Sequence, residues 1–180
     1  RRPAIAGLGR GRKPPARTKG DPSLVPAEVS LQILIDADAC PVKDETYKVA
    51  LRHHVPVLLV ANSFLRVPPH PLLKLVTVSD GFDAADAYIA EAATPRSVVV
   101  TADILLAERA LKAGARVLNH TGKPFTENSI GSAIATRAIM ADLRAGGDQV
   151  GGAAPFSKAD RSRYLSALDE ALNALKRKAG

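Results

Sequence analysis

An α/β domain built on a mainly parallel sheet is the fold class that this sequence predicts, and three observations carry the prediction. From Leu31 to Leu118, short apolar runs of strand length alternate with stretches of helical periodicity. The runs are apolar nearly throughout, the pattern of strands buried on both faces beneath helices. They also end repeatedly in Asp or Asn. If the strands are parallel, those side chains gather on one rim, where open α/β sheets bind ligands.

Leu31-Gln-Ile-Leu-Ile35, ending in Asp36, reads as the first strand. Pro41 suits the first turn of a helix running to about His54. Val55-Pro-Val-Leu-Leu-Val60 is the second strand, and the three prolines between Asn62 and Pro71 make a loop. Leu73 to Ser79 forms the third strand. Residues 83–93 form a helix with Ala85, Ile89 and Ala92 on one face. Ser97-Val-Val-Val-Thr101 is the fourth strand. Residues 104–113 form a helix closed by Gly114, and Ala115 to Leu118 a short fifth strand. After Asn119 the pattern is helical only. One helix covers residues 128–145 and ends at Gly146-Gly147, and a last one starts near Ser157. Ser157 with Asp160 resembles a capping box. Leu165, Leu168, Leu172 and Leu175 form a stripe expected to pack on the domain or on another subunit, which would give a homo-oligomer through the C-terminal helix.

The 180 residues fit one domain with appendages. With aromatic content at 4% and no Trp, the core must be aliphatic. Residues 1–30 are rich in Gly, Pro, Arg and Lys without periodicity and read as a disordered basic tail, leaving 31–180 as the domain. A nucleic-acid arm or a transit peptide is the alternative for the tail. The formal net charge is +7, yet Arg1, Arg2, Arg10, Arg12, Lys13, Arg17 and Lys19 all precede the first acid. The remaining chain holds as many acids as bases, so overall charge is no argument for nucleic-acid binding. The single Cys40 permits no intramolecular disulfide and suits a reducing cytosol. No apolar run approaches the ~20 residues of a membrane span, so a cytoplasmic protein without a membrane partner is expected.

The rim is rich in oxygen donors. The first strand delivers Asp36 and Asp38, the second Asn62 and Ser63, the third Ser79 and Asp80 with Asp83 and Asp86 behind them, the fourth Thr101 and Asp103, and the fifth Asn119. Crowded carboxylates raise one another's pKa, and a hard cation such as Mg²⁺ or Mn²⁺ relieves that conflict. Helix capping is the competing reading. It is preferred for Asp80 alone, while the metal reading is preferred for Asp36, Asp38 and Asp103 together. His53 and His54 lie at a helix end away from this rim, Cys40 reads as a packing residue, and Arg66 in the Pro-rich loop suits a phosphate or a loop salt bridge equally.

Asp36-Ala-Asp-Ala-Cys-Pro41, Ala61-Asn-Ser-Phe-Leu-Arg-Val-Pro-Pro69, Gly81-Phe-Asp-Ala-Ala-Asp86, Val100-Thr-Ala-Asp103 and Phe156-Ser157 with Asp160-Arg161 together resemble the bacterial YaiI/YqxD family, in the same order along the chain. That family is similar to the PIN-like nucleases. The resemblance implies a three-layer α/β/α fold with a mainly parallel sheet and C-terminal helices. It also implies an acid after the first strand (Asp36), one on a middle helix (Asp86 or Asp83) and one in a Thr-x-Asp turn (Asp103). Where PIN domains carry a fourth acid, this chain has Asn119, which ligates only through a neutral oxygen.

Three functions follow as expectations. The first is Mg²⁺- or Mn²⁺-dependent phosphodiester hydrolysis on RNA or DNA. In it Asp36, Asp86, Asp83, Asp103 and Asn119 are candidate ligands, and Asp36, Asp38 and Asp103 candidate catalytic residues. Arg66, Asn62 and Thr101 are candidate substrate contacts. The second is a non-catalytic PIN-like module that binds RNA or protein. The third is a phosphatase of the haloacid-dehalogenase type, suggested by Asp36-x-Asp38 but lacking the later Lys and paired acids.

Overall fold

The computed structural model describes residues 30–79, 81, 83–147 and 155–179. The expected tail and the Asp80 reading fall outside these residues. The elements are β1 (Gln32–Asp36), α1 (Lys43–His53), β2 (Val57–Ala61), β3 (Leu73–Thr77), α2 (Ala84–Ala92), β4 (Ser97–Val100), α3 (Ile104–Lys112), β5 (Arg116–Leu118), β6 (Pro124–Phe125), α4 (Glu127–Ala145) and α5 (Lys158–Arg177).

One six-stranded sheet has the order β3-β2-β1-β4-β5-β6, parallel except for β6. Side chains alternate across each strand, so one strand feeds two cores. Ile33 and Ile35 of β1 join Val57, Leu59, Val98 and Val100 beneath α1 and α5. Leu34, with Val60, Val99 and Val117, joins the opposite layer under α2, α3 and α4. The fold is thus the three-layer α/β/α arrangement that the pattern predicts, with an aliphatic centre. Among the described residues no helix is long and apolar enough to cross a membrane.

Local chemistry explains the boundaries. Pro41 lies just ahead of α1, not within its first turn; Val42 is the N-cap residue, and its carbonyl accepts from the Thr46 amide and hydroxyl. Gly114, at φ +85°, follows α3 in the left-handed conformation expected of a helix-ending glycine. Ser157 and Asp160 form the capping box that starts α5.

One expectation changes, and one pair of alternatives is decided. The chain is not purely helical after Asn119, because Pro124–Phe125 pairs antiparallel with β5. A two-residue strand opening on Pro carries no readable periodicity, and Pro is tolerated on such an edge because it owes the ladder no N–H. Gly122 makes the reversal possible: its φ is +81°, and a Cβ there would meet the Arg163 carbonyl oxygen at 2.6 Å. The Leu stripe of α5 also has its partner within the chain. Leu168, Leu172 and Leu175 are buried in the α1-side core and Leu165 packs against it, so this face is not left for a second copy. Tyr164 is fully buried beside them, its hydroxyl 2.6 Å from Thr46.

Candidate functional site

The strand order reverses between β1 and β4: β2 and β3 lie on one side of that seam, β5 and β6 on the other. This is the topological switch point, where the crossovers diverge and leave a crevice beyond the strand ends. The two strands at the seam are those that end in Asp36 and run into Thr101-Ala-Asp103.

Thr101 ties these groups together. It is fully buried, its hydroxyl donates to Asp36 Oδ2 at 3.2 Å, and the same oxygen accepts from the Asp103 amide at 3.0 Å. Asp103 is the N-cap of α3, with Oδ1 accepting from the Leu105 and Leu106 amides at 2.8 and 3.1 Å. The capping role considered for these acids therefore applies to one oxygen of Asp103. Asp86 enters from the first turn of α2, the helix that packs over β1 and β2.

The electrostatics show that these acids share one field. The Asp36 carboxyl is raised above its ordinary range, first by burial and then by Asp38 and Asp103, against a lowering contribution from Thr101. Asp86 is pushed up to about 6 by burial, then by the charges of Asp103, Asp36 and Asp83, and by a hydrogen bond to Asp83. Asp83 is exposed and turned toward α3, where Arg109 Nη1 stands 3.1 Å from its Oδ2. Of the two helix acids named from the sequence, Asp86 is thus the one without a basic partner among the described residues.

The remaining predicted residues are otherwise engaged. Asp38 accepts from the Asn62 amide at 3.1 and 2.9 Å and from Asn62 Nδ2 at 2.9 Å. It braces the loop after β1 against the loop after β2. Asn119 Oδ1 accepts from the Thr121 amide at 2.5 Å and hydroxyl at 2.6 Å, an Asx turn that opens the β5–β6 reversal. Both lone pairs of the oxygen that was expected to replace the fourth acid are therefore in use. Arg66 is exposed and forms no ion pair among the described residues. His53 bonds Asp169 at 2.6 Å on the far side of α1. Cys40 is buried, its thiol pushed up to about 11 chiefly by burial, as a packing residue should be.

Sequence reasoning passed over His120. Its Nε2 is buried without a hydrogen-bond partner among the described residues, and burial with the nearby Lys43 charge lowers its pKa. Lys43, whose charge acts on it, donates through Nζ to the Cys40 carbonyl at 2.9 Å in the loop after β1. A cleft of about 260 Å³ is lined by Ala102 and Ile104, the chain neighbours of Asp103, and by Asn119, Lys123 and Phe125.

A hard cation fits the donor type here, since the acids offer only oxygen. Among the described residues no three His, Cys, Asp or Glu side chains stand close enough together to hold an ion as they lie.

Fold and rim define a class: α/β domains with a parallel sheet whose switch point is lined by acids. Within it, the chain belongs to the YaiI/YqxD family, described as uncharacterised, whose model matches residues 34–174. A UPF0178 protein of Sphingopyxis alaskensis is 70% identical over 81% of this chain and 95% of its own length. Another from Jannaschia sp. is 62% identical, covering 80% and 94%. One from Rhodopseudomonas palustris is 56% identical, covering 82% and 93%. No solved structure matches the chain significantly.

Proposed function

We propose that this protein is a divalent-metal-dependent phosphodiesterase acting on RNA or DNA, with one or two of the acids Asp36, Asp86 and Asp103 holding the ion and water completing its shell. What supports the reading is the gathering of these acids at the switch point: Thr101 donates to Asp36 and accepts from the Asp103 amide, and Asp86 is pushed up to about 6, first by burial and then by the charges of Asp103, Asp36 and Asp83. Such a cluster is held at a cost to the fold, and cations relieve it. A bound Mg²⁺ or Mn²⁺ would supply Lewis-acid stabilisation of the phosphate and an activated water. The chain's own residues have separable tasks: Thr101 orients Asp36, the α3 N-terminus orients Asp103, and Asp38 fixes the loops on either side through Asn62. Thr101 and Asn62 act in this reading through those acids. Arg66 remains the exposed cation for phosphate. A reducing bacterial cytosol suits the lone buried thiol.

The non-catalytic module is favoured by one observation: Asn119 brings no charge and its oxygen is committed to Thr121. The phosphatase reading loses support because Asp38, which it needs as a mobile acid, is bound to Asn62.

The test is a pair of measurements with millimolar Mn²⁺ and Mg²⁺. Metal that binds only the native state raises the melting temperature by mass action, by about 2.7 kcal/mol of stability at a hundredfold excess over Kd. The wild type is expected to shift upward and to cleave end-labelled single strands, whereas Asp36→Asn and Asp103→Asn shift much less and do not cleave. Absence of any thermal response to either ion sinks the proposal; a response without cleavage leaves the binding module as the better account.

A further inference from the structure

The loop between β2 and β3 presents an aromatic ring to solvent where the fold has no use for it. Phe64 is 82% exposed, in a chain with only four Phe and no Trp. The loop around it is well anchored. Asn62 is held by three hydrogen bonds to Asp38, Leu65 and Val67 pack against the α1-side core, and Pro68-Pro69 stiffen the exit. With Leu65 and Val67 turned inward, Phe64 and Arg66 are the positions turned out. Arg66 has no acid partner among the described residues, so its charge is open to an anion.

The ledge lies beside the acids. Successive Cα atoms are 3.8 Å apart, so Phe64 is within about 8 Å of Asn62. The Asn62 amide in turn touches the carboxylate of Asp38, two residues past Asp36. A strand whose phosphate sits at the acids therefore has its neighbouring nucleotide within reach of the loop.

We propose that Phe64 and Arg66 form a stacking ledge for single-stranded nucleic acid, Phe64 taking the face of an unpaired base and Arg66 the adjoining phosphate. The proposal rests on the phosphodiesterase reading and adds the substrate form. A duplex keeps its bases stacked on one another and offers none to an exposed ring, whereas a single strand does. The formally neutral body gives the same direction. Electrostatic attraction to the backbone, the usual source of affinity, is weak here, so contact with bases must supply more of it.

The absence of Trp makes a clean experiment. Phe64→Trp introduces a lone indole, and the full chain is titrated in EDTA with decamers of uridylate, of thymidylate, and of an abasic deoxyribose strand of equal charge. Quenching by both base-bearing strands and little by the abasic strand is expected; quenching by one of the two assigns the ledge to RNA or to DNA. Phe64→Leu, which keeps an apolar side chain, is expected to bind these strands about tenfold more weakly. It should keep the Mn²⁺-induced thermal shift of the wild type. Arg66→Gln should lower the salt dependence of binding by about one phosphate contact. Equal quenching by the abasic strand, or unchanged affinity in Phe64→Leu, overturns the ledge. So does self-association of the wild type that Phe64→Leu abolishes, since the ring would then belong to a second copy. If quenching is seen while neither metal response nor cleavage is, the ledge stands and the phosphodiesterase reading falls.

Discussion

Replacing Asp86 with Asn should stabilise the metal-free protein, and only at neutral pH. The Asp86 carboxyl rises from 3.8 to about 6 in the fold, first through burial and then through Asp103, Asp36 and Asp83. The folded state therefore holds this proton more tightly than the unfolded chain. The sign of the linkage follows: the group imposes no penalty below about pH 4, and stability is lost as pH rises from there through about 6. At 1.36 kcal/mol for each tenfold in proton affinity, the full penalty above that range is roughly 3 kcal/mol. Asp86 is only partly buried, and solvent screening cuts this to about 1 kcal/mol. Asn keeps the shape, carries no charge and still donates to Asp83. In a domain of this size the gain is worth about 2–4 °C in melting temperature. Thermal melts followed by circular dichroism in EDTA, at about pH 7.5 and about pH 3.5, read it directly. Asp86→Asn should melt above wild type at the higher pH, with the difference nearly gone at the lower. A variant that melts lower at neutral pH, or a difference independent of pH, refutes the claim that the fold raises the Asp86 carboxyl. Its cause would then lie in a structural contact of Asp86.

Other consequences are simpler. Tyr164→Phe removes a buried hydroxyl 2.6 Å from Thr46, which keeps its bond to the Val42 carbonyl. The expected loss is about 1 kcal/mol in denaturant titration. Gly122→Ala should destabilise by roughly 1–3 kcal/mol, because the new Cβ combines a left-handed backbone with a 2.6 Å approach to Arg163; a neutral result would show that the β5–β6 turn does not press on α5. Cys40, buried with a thiol near 11, should resist iodoacetamide in the native protein and react only in denaturant, as mass spectrometry of the two samples will show.

Much of this architecture was legible in local pattern. The apolar runs marked five strands to within two or three residues, Gly114 the end of α3, and Ser157 with Asp160 the start of α5. The motifs pointed to the YaiI/YqxD family, which the family match bears out. β6 was not legible, because two residues opening on Pro have no period to read. The exposure of Phe64 was hidden for a related reason: its neighbours Leu65 and Val67 are the inward positions of a loop, and nothing local tells which of three apolar residues is left outside.

At the candidate site, sequence alone determined which residue types stand at the ends of strands, because strand and helix periodicity are properties of neighbours in the chain. Tertiary structure decided what each one does. It placed the switch point between β1 and β4, so that Asp36 and Asp103 flank it with Thr101 bonded to both. It bound Asp38 to Asn62, Asp83 to Arg109 and Asn119 to Thr121, leaving Asp86 to be raised by burial and then by its acidic neighbours. Strand order and hydrogen-bond partnership join residues far apart in sequence. The same Asp is a brace, a cap or a member of a repelling cluster according to which donor or charge the fold brings within a few ångströms of it.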